Sequence, residues 1–251
     1  MRASSRYRDG CVRHWSIVGA LTASTVLLGC GGPQMAAPDD FHDGRVTLET
    51  DGRRGDETEG EEAAFSFGPY RVNNIRRDMT IDEGFENLED FEPAAKRGFR
   101  YKLEGGGKAR LDGRCSERAP QRERSLDGKV TVKQEAYPPL ACTCEESGTP
   151  VAELFVEDLA GEYNGPLLIG GVEARVVGVY ELENGDMRKG NPAGFLVRDH
   201  DGTVAAAGVL PGESRVLLRK HLEEPDRRLI VCGLVGLMLW VPPPVPEPED
   251  D

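Results

Sequence analysis

The chain lacks any apolar run long enough to cross a bilayer as a helix, and it is short of basic residues. A spanning helix needs about 20 apolar residues, which excludes a transporter or channel built of several such helices. The 251 residues include 31 Lys and Arg against 44 Asp and Glu, a net charge of −13. Nucleic-acid binding relies on clustered basic side chains, so we expect no nucleic-acid partner. Only 38% of the residues are hydrophobic, which predicts one domain with polar flanks.

Familiar catalytic spacings are missing as well. No serine stands in a Gly-x-Ser-x-Gly pattern and no His-Glu-x-x-His occurs, so serine-hydrolase and zincin chemistry have no support. Gly105-Gly-Gly-Lys108 lacks the hydroxyl residue that follows the lysine of a phosphate loop, and we interpret it as a turn. The sequence therefore predicts no catalytic residue, no cofactor and no metal.

The first thirty residues have the form of a bacterial export signal. Four arginines and one aspartate precede thirteen apolar or small residues, 17–29, which is typical of a signal peptide. This apolar segment ends in Leu27-Leu28-Gly29-Cys30, which resembles the lipobox of bacterial lipoproteins. The resemblance implies cleavage before Cys30, a diacylglycerol on the Cys30 thiol and an acylated N-terminus. A plain secretory signal with a chance cysteine is the alternative.

Lipidation of Cys30 would hold the protein at a membrane without help from the folded domain. Two or three acyl chains anchor a protein stably, whereas one chain binds only marginally. Gly31 stands where an aspartate would favour the inner membrane, so we predict the outer membrane of a bacterial cell envelope. Cleavage removes four arginines and one aspartate, and the mature chain then has a net charge of −16.

Both flanks of the mature chain are polar. Residues 30–64 have few apolar side chains, and five acids fall within residues 56–62, so we predict a disordered acidic tether that begins at the lipidated cysteine. An edge strand at residues 46–48, docked on the domain, is the alternative for part of it. Residues 242–251 are rich in proline and acids, and we expect a disordered tail.

Residues 65–241 are predicted to be a single, mainly β domain. Eight segments show strand-like alternation or β-branched residues, and turn dipeptides such as Asn184-Gly separate them at the spacing of a sandwich or barrel. The segments are 65–72, 99–103, 130–132, 151–156, 172–182, 195–198, 204–209 and 215–218. Thr80 and Glu83 have capping-box spacing, which predicts a short helix through Leu88.

The last element of the domain is apolar on every side. Pro225 and Asp226 precede it, and residues 229–241 are thirteen consecutive apolar or small residues. A helix of that length rises about 20 Å, which is too short for a bilayer. We therefore expect the protein to enclose it.

Strands followed by one apolar C-terminal helix resemble the tubby-like β-barrel group, which includes the phospholipid scramblases and their plant relatives. The hairpin 195–205, the strand 215–218 and the segment 226–240 carry the resemblance. It implies a closed antiparallel barrel around a hydrophobic helix, and a β-sandwich with a buried apolar helix is the alternative fold. The functional marks of those families do not carry over, because the sequence has neither an acidic calcium loop nor a paired Lys/Arg phosphoinositide site.

Four cysteines follow Cys30, and in an exported protein they predict disulfides. Cys142 and Cys144 would share one face of a strand. We favour a bond from Cys115 to Cys144, with Cys142 as the second choice. Cys232 is expected to be a buried free thiol, or else to pair with the remaining cysteine. A four-cysteine zinc site is disfavoured, because the spacing is not that of a zinc finger.

Two further groups are candidates for chemistry. Asp199-His200-Asp201-Gly202 has the residue types of a catalytic pair or a calcium loop. Leu210 stands where a calcium loop needs an acid, so we interpret the group as an exposed hairpin turn. Residues 108–124 hold six basic and three acidic side chains. We interpret them as a solvated loop, with contact to anionic headgroups or an acidic partner as the alternative.

The sequence as a whole predicts a membrane-anchored envelope lipoprotein with a non-catalytic β domain. That domain binds a protein, glycan or lipid partner or has a structural role. One alternative is an envelope enzyme acting on a small molecule or polymer, with His200 beside Asp199 or Asp201 as its pair. The other is lipid handling by a tubby-like barrel.

Overall fold

A computed structural model gives the architecture of most of the chain beyond residue 32. It describes residues 33–41, 44–53, 63–81, 95–107, 110–118, 123–124, 130–131, 140–159, 162–170, 172–210 and 215–240. These ranges contain the strands β1 (Arg45–Asp51), β2 (Phe65–Phe67), β3 (Tyr70–Ile81), β4 (Ala95–Glu104), β5 (Leu111–Arg118), β6 (Glu123–Arg124), β7 (Val130–Thr131), β8 (Leu140–Glu146), β9 (Thr149–Leu159), β10 (Glu162–Ile169), β11 (Val172–Val179), β12 (Gly194–Asp199), β13 (Gly202–Gly208) and β14 (Arg215–Arg219), and the helix α1 (Glu224–Leu239).

Twelve of these strands close into one barrel. Their order is β1-β14-β13-β12-β11-β10-β9-β8-β5-β4-β3-β2, and β6 and β7 form a separate two-stranded sheet. Neighbouring barrel strands are antiparallel throughout, and β1 closes the barrel by pairing with β14 on one side and β2 on the other. The mainly β prediction is confirmed. Of the two predicted folds, the structure has the barrel.

Each of the eight predicted strand segments overlaps an observed strand, but three strands of the barrel were not predicted. These are β5, β8 and β10. β10 contains Asn164-Gly-Pro, which is typical of a turn. In the barrel, Gly165 is required because a Cβ there would stand 2.0 Å from the carbonyl oxygen of Phe155 on β9. The turn-like glycine therefore reflects a close approach of two strands.

The helix α1 lies inside the barrel. Its residues 230–239 are all buried, and α1 contacts β5, β8, β9, β10, β12 and β13. Helix side chains and the inward side chains of the wall form one continuous hydrophobic cluster. A helix that is apolar on all sides must be enclosed, so the predicted enclosure by protein is confirmed. The helix begins at Glu224, with Glu223 as its N-cap, slightly before the cap predicted at Pro225 and Asp226.

Two arginines, Arg53 just after β1 and Arg77 of β3, satisfy carbonyl groups at the end of α1. The last carbonyls of a helix have no partner within the helix. Arg53 Nη2 donates to the Met238 carbonyl at 3.2 Å, and Arg77 Nη2 donates to the Leu239 carbonyl at 2.7 Å. Positive charge is also favourable at this end of the helix dipole. Residues outside the helix thus supply the hydrogen-bond donors that its last carbonyls lack within the helix.

The two ends of the barrel are distinct. The turn 199–202 and the start of α1 lie at one end, which we name the hairpin end. Arg53 also donates to the Gly208 carbonyl at 3.1 Å. Gly208 is the last residue of β13, so the last turn of α1 lies at the end of the barrel opposite the hairpin turn 199–202. We name this opposite end the exit end. The loop 180–193 lies there too, because it leads into the start of β12.

A strap formed by residues 34–41 crosses the outer surface of β12, β13 and β14. At the exit end, the Glu183 N–H donates to the Gln34 carbonyl at 3.0 Å. Met35 is fully buried there. It lies over Gly194, where a Cβ would stand 2.1 Å from the Met35 sulfur. A second apolar cluster therefore covers this outer face, with Met35, Ala193, Ala206, Leu210 and Leu217 as its buried members.

Asp40 fastens the strap at the hairpin end. Its carboxylate accepts a hydrogen bond from the Thr203 hydroxyl at 2.6 Å and pairs with the Arg198 guanidinium. Thr203 is fully buried, so this bond satisfies a polar group that water does not reach. The strap thus carries the chain from the exit end to the hairpin end, where β1 begins.

The strap and β1 correct the predicted tether. Residues 34–41 and 45–51 belong to the domain, and the alternative edge strand at residues 46–48 is what the structure has. The apolar outer face of β13 and β14 needs a cover, and β1 supplies the main-chain hydrogen bonds that close the barrel. The acids of residues 56–62 lie outside the described residues, as does the predicted tail at 242–251.

The predicted helix at Thr80 is also corrected in part. Thr80 and Ile81 continue β3, where their register partners are Lys96 and Ala95 of β4. Pairing with a neighbouring strand outweighs the local capping-box signal there. The remainder of that predicted helix, through Leu88, lies outside the described residues.

We expect Met35→Ala to lower the free energy of unfolding by about 2–4 kcal/mol, because it removes a fully buried side chain from the contact between strap and barrel. Met187 is 68% exposed, so Met187→Ala should change the same quantity by less than about 0.5 kcal/mol. Urea denaturation of the two variants measures both values. Equal effects would contradict a stabilising role of the strap.

Candidate functional site

Two disulfides lie inside the barrel beside α1. Cys115 of β5 bonds to Cys142 of β8, and Cys144 of β8 bonds to Cys232 of α1. All four cysteines are buried. The bonds join residues 27 and 88 positions apart, and the chain-entropy estimate gives about 4 and about 5 kcal/mol of stabilisation for such loops. The second bond fixes the enclosed helix to the wall.

This pairing corrects the one favoured from the sequence. Cys115 stands directly opposite Cys142 in the β5–β8 register, with 4.0 Å between the Cα atoms, whereas Cys144 stands opposite Gly113. The second choice, Cys142, is therefore the partner. Cys232 is not a free thiol, because Cys144 projects into the barrel where α1 passes. With these four cysteines bonded in pairs, they offer no zinc ligands.

Tyr101 provides a further polar contact between the wall and α1. Its hydroxyl donates to the Cys232 carbonyl at 2.7 Å, and burial raises the pKa of that hydroxyl. The Tyr101 ring lies against Gly113, where a Cβ would stand 2.1 Å from the ring. A tyrosine, a glycine and a disulfide thus position the middle of the helix.

The turn that contains Asp199 and His200 is held by an ion pair. Arg219 of β14 donates two hydrogen bonds to the Asp199 carboxylate, at 2.8 and 2.9 Å. The Arg219 and Asp199 side chains are only 12% and 21% exposed. His200 is exposed, and its Nε2 lies 3.2 Å from the Asp201 carboxylate. The predicted hairpin turn is confirmed, although Asp199 is largely buried and bound to Arg219, whereas the prediction had it exposed.

The geometry gives Asp199 a structural role. Asp199, His200 and Asp201 offer ligand atoms within 4.8 Å of one another, but both Asp199 oxygens already accept bonds from Arg219. Partial burial opposes ionisation of this carboxyl. The hydrogen bonds from Arg219 and from the Asp201 N–H together outweigh that effect and lower the pKa of Asp199. A surface depression of about 620 Å³ lies beside the turn.

Three arginines stand side by side on the outer face of β3, β4 and β5, and we name them the arginine row. Arg76 is the register partner of Arg100, and Arg100 is the register partner of Arg114. The neighbours Phe99 and Cys115 are buried, so strand alternation turns the arginines outward. Directly opposed residues have Cα atoms about 4.5–5.5 Å apart, which makes the row a dense positive strip.

A groove of about 360 Å³ runs along the arginine row. Two further cations line it, Lys102 and Arg110, and one acid, Asp112. Arg110 and Asp112 form an exposed ion pair at 3.1 Å. The described part of the groove therefore presents five basic side chains and one acidic side chain.

Sequence reasoning found only part of this surface. Arg110 and Arg114 lie within the basic segment predicted at residues 108–124, and both are in or beside β5. Arg76 and Arg100 were missed, because they come from β3 and β4 and only the strand register brings them to Arg114. The alternation of charged and apolar residues in β4 could have indicated that Arg100 points outward. Residues 119–122 of the basic segment lie outside the described residues.

Comparisons of the chain with family models, with curated proteins and with solved structures found no match. Within the described ranges, no helix has both the length and the apolar character that a membrane span requires. Cys30 and residues 1–29 lie outside the described residues. The lipobox and the resemblance to tubby-like barrels therefore stay predictions.

Gly236 of α1 allows the helix to pass the first disulfide. A Cβ there would stand 2.9 Å from the Cys142 sulfur and 3.2 Å from the Cys115 sulfur. We expect Gly236→Ala to lower the free energy of unfolding by about 1–3 kcal/mol, despite the better helix propensity of alanine. Differential scanning calorimetry measures the loss.

Gly233 provides the matched control for Gly236. A Cβ at Gly233 would meet a methyl group of Leu167 at 3.0 Å, and this flexible side chain can move whereas a disulfide cannot. Gly233→Ala should therefore cost less than Gly236→Ala. A variant Gly236→Ala as stable as the parent would mean that the helix does not pack against the Cys115–Cys142 bond as described.

We expect Asp199→Asn to lower the free energy of unfolding by about 1–3 kcal/mol at pH 7, because Arg219 loses a charged acceptor. The pKa of Asp199 is lowered in the folded protein. The ionised Asp199 carboxylate therefore makes its full contribution to the free energy of unfolding at pH values above its pKa in the unfolded chain, near 3.9. That contribution disappears as the pH falls through the pKa of Asp199 in the folded protein. The difference between variant and parent should shrink below about pH 4.

Denaturation of this variant at pH values from 7 to about 2 measures the expected change. Asp201→Asn is the control, because the Asp201 side chain is 55% exposed and should contribute less than about 0.5 kcal/mol. A pH-independent difference for Asp199→Asn would contradict the assigned ion pair.

Proposed function

We propose that this protein is a lipoprotein of the bacterial cell envelope, anchored through Cys30 to the outer membrane. Its helix-filled barrel is a non-catalytic domain that binds a partner or has a structural role. The lipobox Leu27-Leu28-Gly29-Cys30 supports the anchor. The anchor accounts for membrane attachment without a spanning helix.

The disulfides inside the barrel are the observation that carries this proposal. Disulfides persist in oxidising compartments such as the bacterial periplasm and are rare in the cytosol. Cys115, Cys142, Cys144 and Cys232 are all buried and bonded in pairs. A fold whose enclosed helix is linked covalently to its wall is suited to an exported protein, which supports passage through the signal pathway.

The filled interior supports a function on the outer surface. α1 lies along the inside of the barrel, and bulky inward side chains such as Tyr163 and Phe195 pack against Trp240 at its end. Ligand sites usually need a cavity of several hundred Å³. The two surface depressions described above are both outside the barrel wall, so partner binding there is the better supported role.

We expect the full-length chain, expressed in a Gram-negative host with alkyne-tagged palmitate, to become labelled and to partition into detergent. Its intact mass should lack residues 1–29 and include a diacylglycerol and one further acyl group. Non-reducing peptide mapping should show both disulfides and no free thiol. Intact-mass measurement together with in-gel fluorescence checks all three expectations.

Two cysteine variants sharpen this experiment. Cys30→Ala should lose the label, whereas Cys11→Ala should keep it, because residue 11 lies in the segment that is removed. A wild-type chain that stays unlabelled, or a label that survives Cys30→Ala, would contradict the proposed anchor. The disulfide map then tells whether the chain is still exported.

A further inference from the structure

We propose that two copies of this protein pair through the first half of β1, so that each copy adds an antiparallel strand to the sheet of the other. The segment concerned is residues 45–49, and we name its side away from β14 the β1 edge. The pairing places Arg45 of one copy opposite Glu49 of the second copy, with Thr47 on the two-fold axis. It does not depend on the proposed anchor.

The β1 edge lacks a neighbouring strand within the described part of the chain. Residues 45–49 pair with β14 on one side, but on the other side β2 pairs only with Thr50 and Asp51. The chain turns back after β2 at Gly68, where a Cβ would stand 2.8 Å from a methyl group of Leu48. The start of β1 therefore runs past the β2–β3 turn at the hairpin end. A strand edge of this kind is a template for a further strand.

The main-chain groups of alternate residues point toward the β1 edge. In an antiparallel pair, residues that exchange hydrogen bonds with the neighbouring strand alternate with residues whose N–H and C=O groups point away from it. The Lys220 N–H donates to the Gly44 carbonyl at 3.1 Å, and these two residues continue the β1–β14 register. The even-numbered residues of this segment therefore bond to β14. Arg45, Thr47 and Glu49 present their N–H and C=O groups to the β1 edge.

One register uses all three of these residues in both copies. Pairing centred on Thr47 places Thr47 opposite Thr47 of the second copy, and Arg45 opposite Glu49 in both directions. A centre at residue 46 or 48 would oppose Thr47 to one of the charged residues and leave the other outside the pairing. Opposite charges and threonine pairs across strands both stabilise an antiparallel sheet. The β1 edge is therefore self-complementary, which favours a second copy as its partner.

The side chains at the β1 edge are accessible for this pairing. Arg45, Thr47 and Glu49 are exposed, and they lie on the outer face of β1, since Leu48 packs against the hydrophobic core. Arg45 donates to the Pro38 carbonyl at 3.1 Å, and a guanidinium has further N–H groups for a second acceptor. A carboxylate accepts several hydrogen bonds, so Glu49 can keep contacts within its own chain.

The same pairing covers an exposed apolar side chain. Val46 is 40% exposed, whereas most large hydrophobic side chains of the described residues are buried. In the register centred on Thr47, Val46 lies opposite Leu48 of the second copy, on the inner face of the extended sheet. The contact thus combines apolar burial, an ion pair on either side of the axis and about six main-chain hydrogen bonds. It is smaller than a stable interface, which has about 20–30 residues a side, so we expect a dimer that dissociates on dilution.

Disulfide trapping tests the two-fold axis. The full-length chain carrying Thr47→Cys, purified in neutral detergent, should form a covalent dimer under mild oxidation, because residue 47 lies opposite itself. Its yield should rise with protein concentration and exceed that of the parent chain. Asp51→Cys is the matched control, since Asp51 is exposed on the same strand but is paired with β2. We expect it to give no more covalent dimer than the parent.

Charge exchange tests the register. In a dimer of Arg45→Glu the paired residues are both acids, and in a dimer of Glu49→Arg they are both arginines. Each variant alone should therefore dimerise about tenfold more weakly than the parent. An equimolar mixture should recover the parent affinity, because a mixed dimer again opposes acids to arginines. Sedimentation velocity in a density-matched neutral detergent measures the dissociation constants, and recovery in the mixture shows that both variants are folded.

Every outcome decides the proposal. A monomer at all concentrations, or equal yields of covalent dimer from Thr47→Cys and Asp51→Cys, would overturn the pairing of two copies. A mixture that dimerises no better than the single variants would overturn the register. If Thr47→Cys in whole cells forms its main adduct with a different protein, the β1 edge takes a foreign strand and the second copy is wrong. None of these outcomes depends on whether Cys30 is acylated.

Discussion

Enclosure of an apolar helix is the constraint on which the rest of this structure depends. Residues 230–239 are buried on every side of α1, so no flat sheet could cover them, since a sheet hides only one face of a helix. A closed barrel solves the problem and gives each of its strands a neighbour on both sides. The same enclosure requires polar partners within the wall, and Arg53, Arg77 and Tyr101 supply them by donating to carbonyls of the helix. The Cys144–Cys232 bond then makes the arrangement covalent.

Filling the barrel with its own helix moves recognition to the outer wall. Successive residues of a strand point alternately inward and outward. The inward side chains pack against α1, whereas the outward side chains are not restricted by that packing. On β12, β13 and β14 the outward residues Leu196, Ala206 and Leu217 are apolar, and the strap covers them. On β3, β4 and β5 the outward residues Arg76, Arg100 and Arg114 border a groove. The protein therefore has one outer face that its own chain occupies and another that carries a row of arginines.

Local patterns in the sequence predicted the strands and the helix well, but not the contacts between distant segments. The apolar run 229–241 could be recognised because its length and composition permit only enclosure. The partner of Cys115 could not, because Cys142 and Cys144 share a face and only the register of β5 against β8 distinguishes them. The strap was missed for a similar reason. Its few apolar side chains, such as Met35, are buried only because they pack over small residues of a distant strand, such as Gly194.

The candidate site shows why position along the chain is a poor guide to surface chemistry in a barrel. Arg76, Arg100 and Arg114 are separated by 24 and 14 residues in the sequence, and none of them belongs to a motif. Antiparallel pairing brings them into one row because β3, β4 and β5 are consecutive in the barrel. Opposed arginines also occur at Arg175 and Arg198, where Asp40 of the strap pairs with Arg198. The charge pattern of this wall therefore follows from strand order and register, which no local pattern in the sequence reveals.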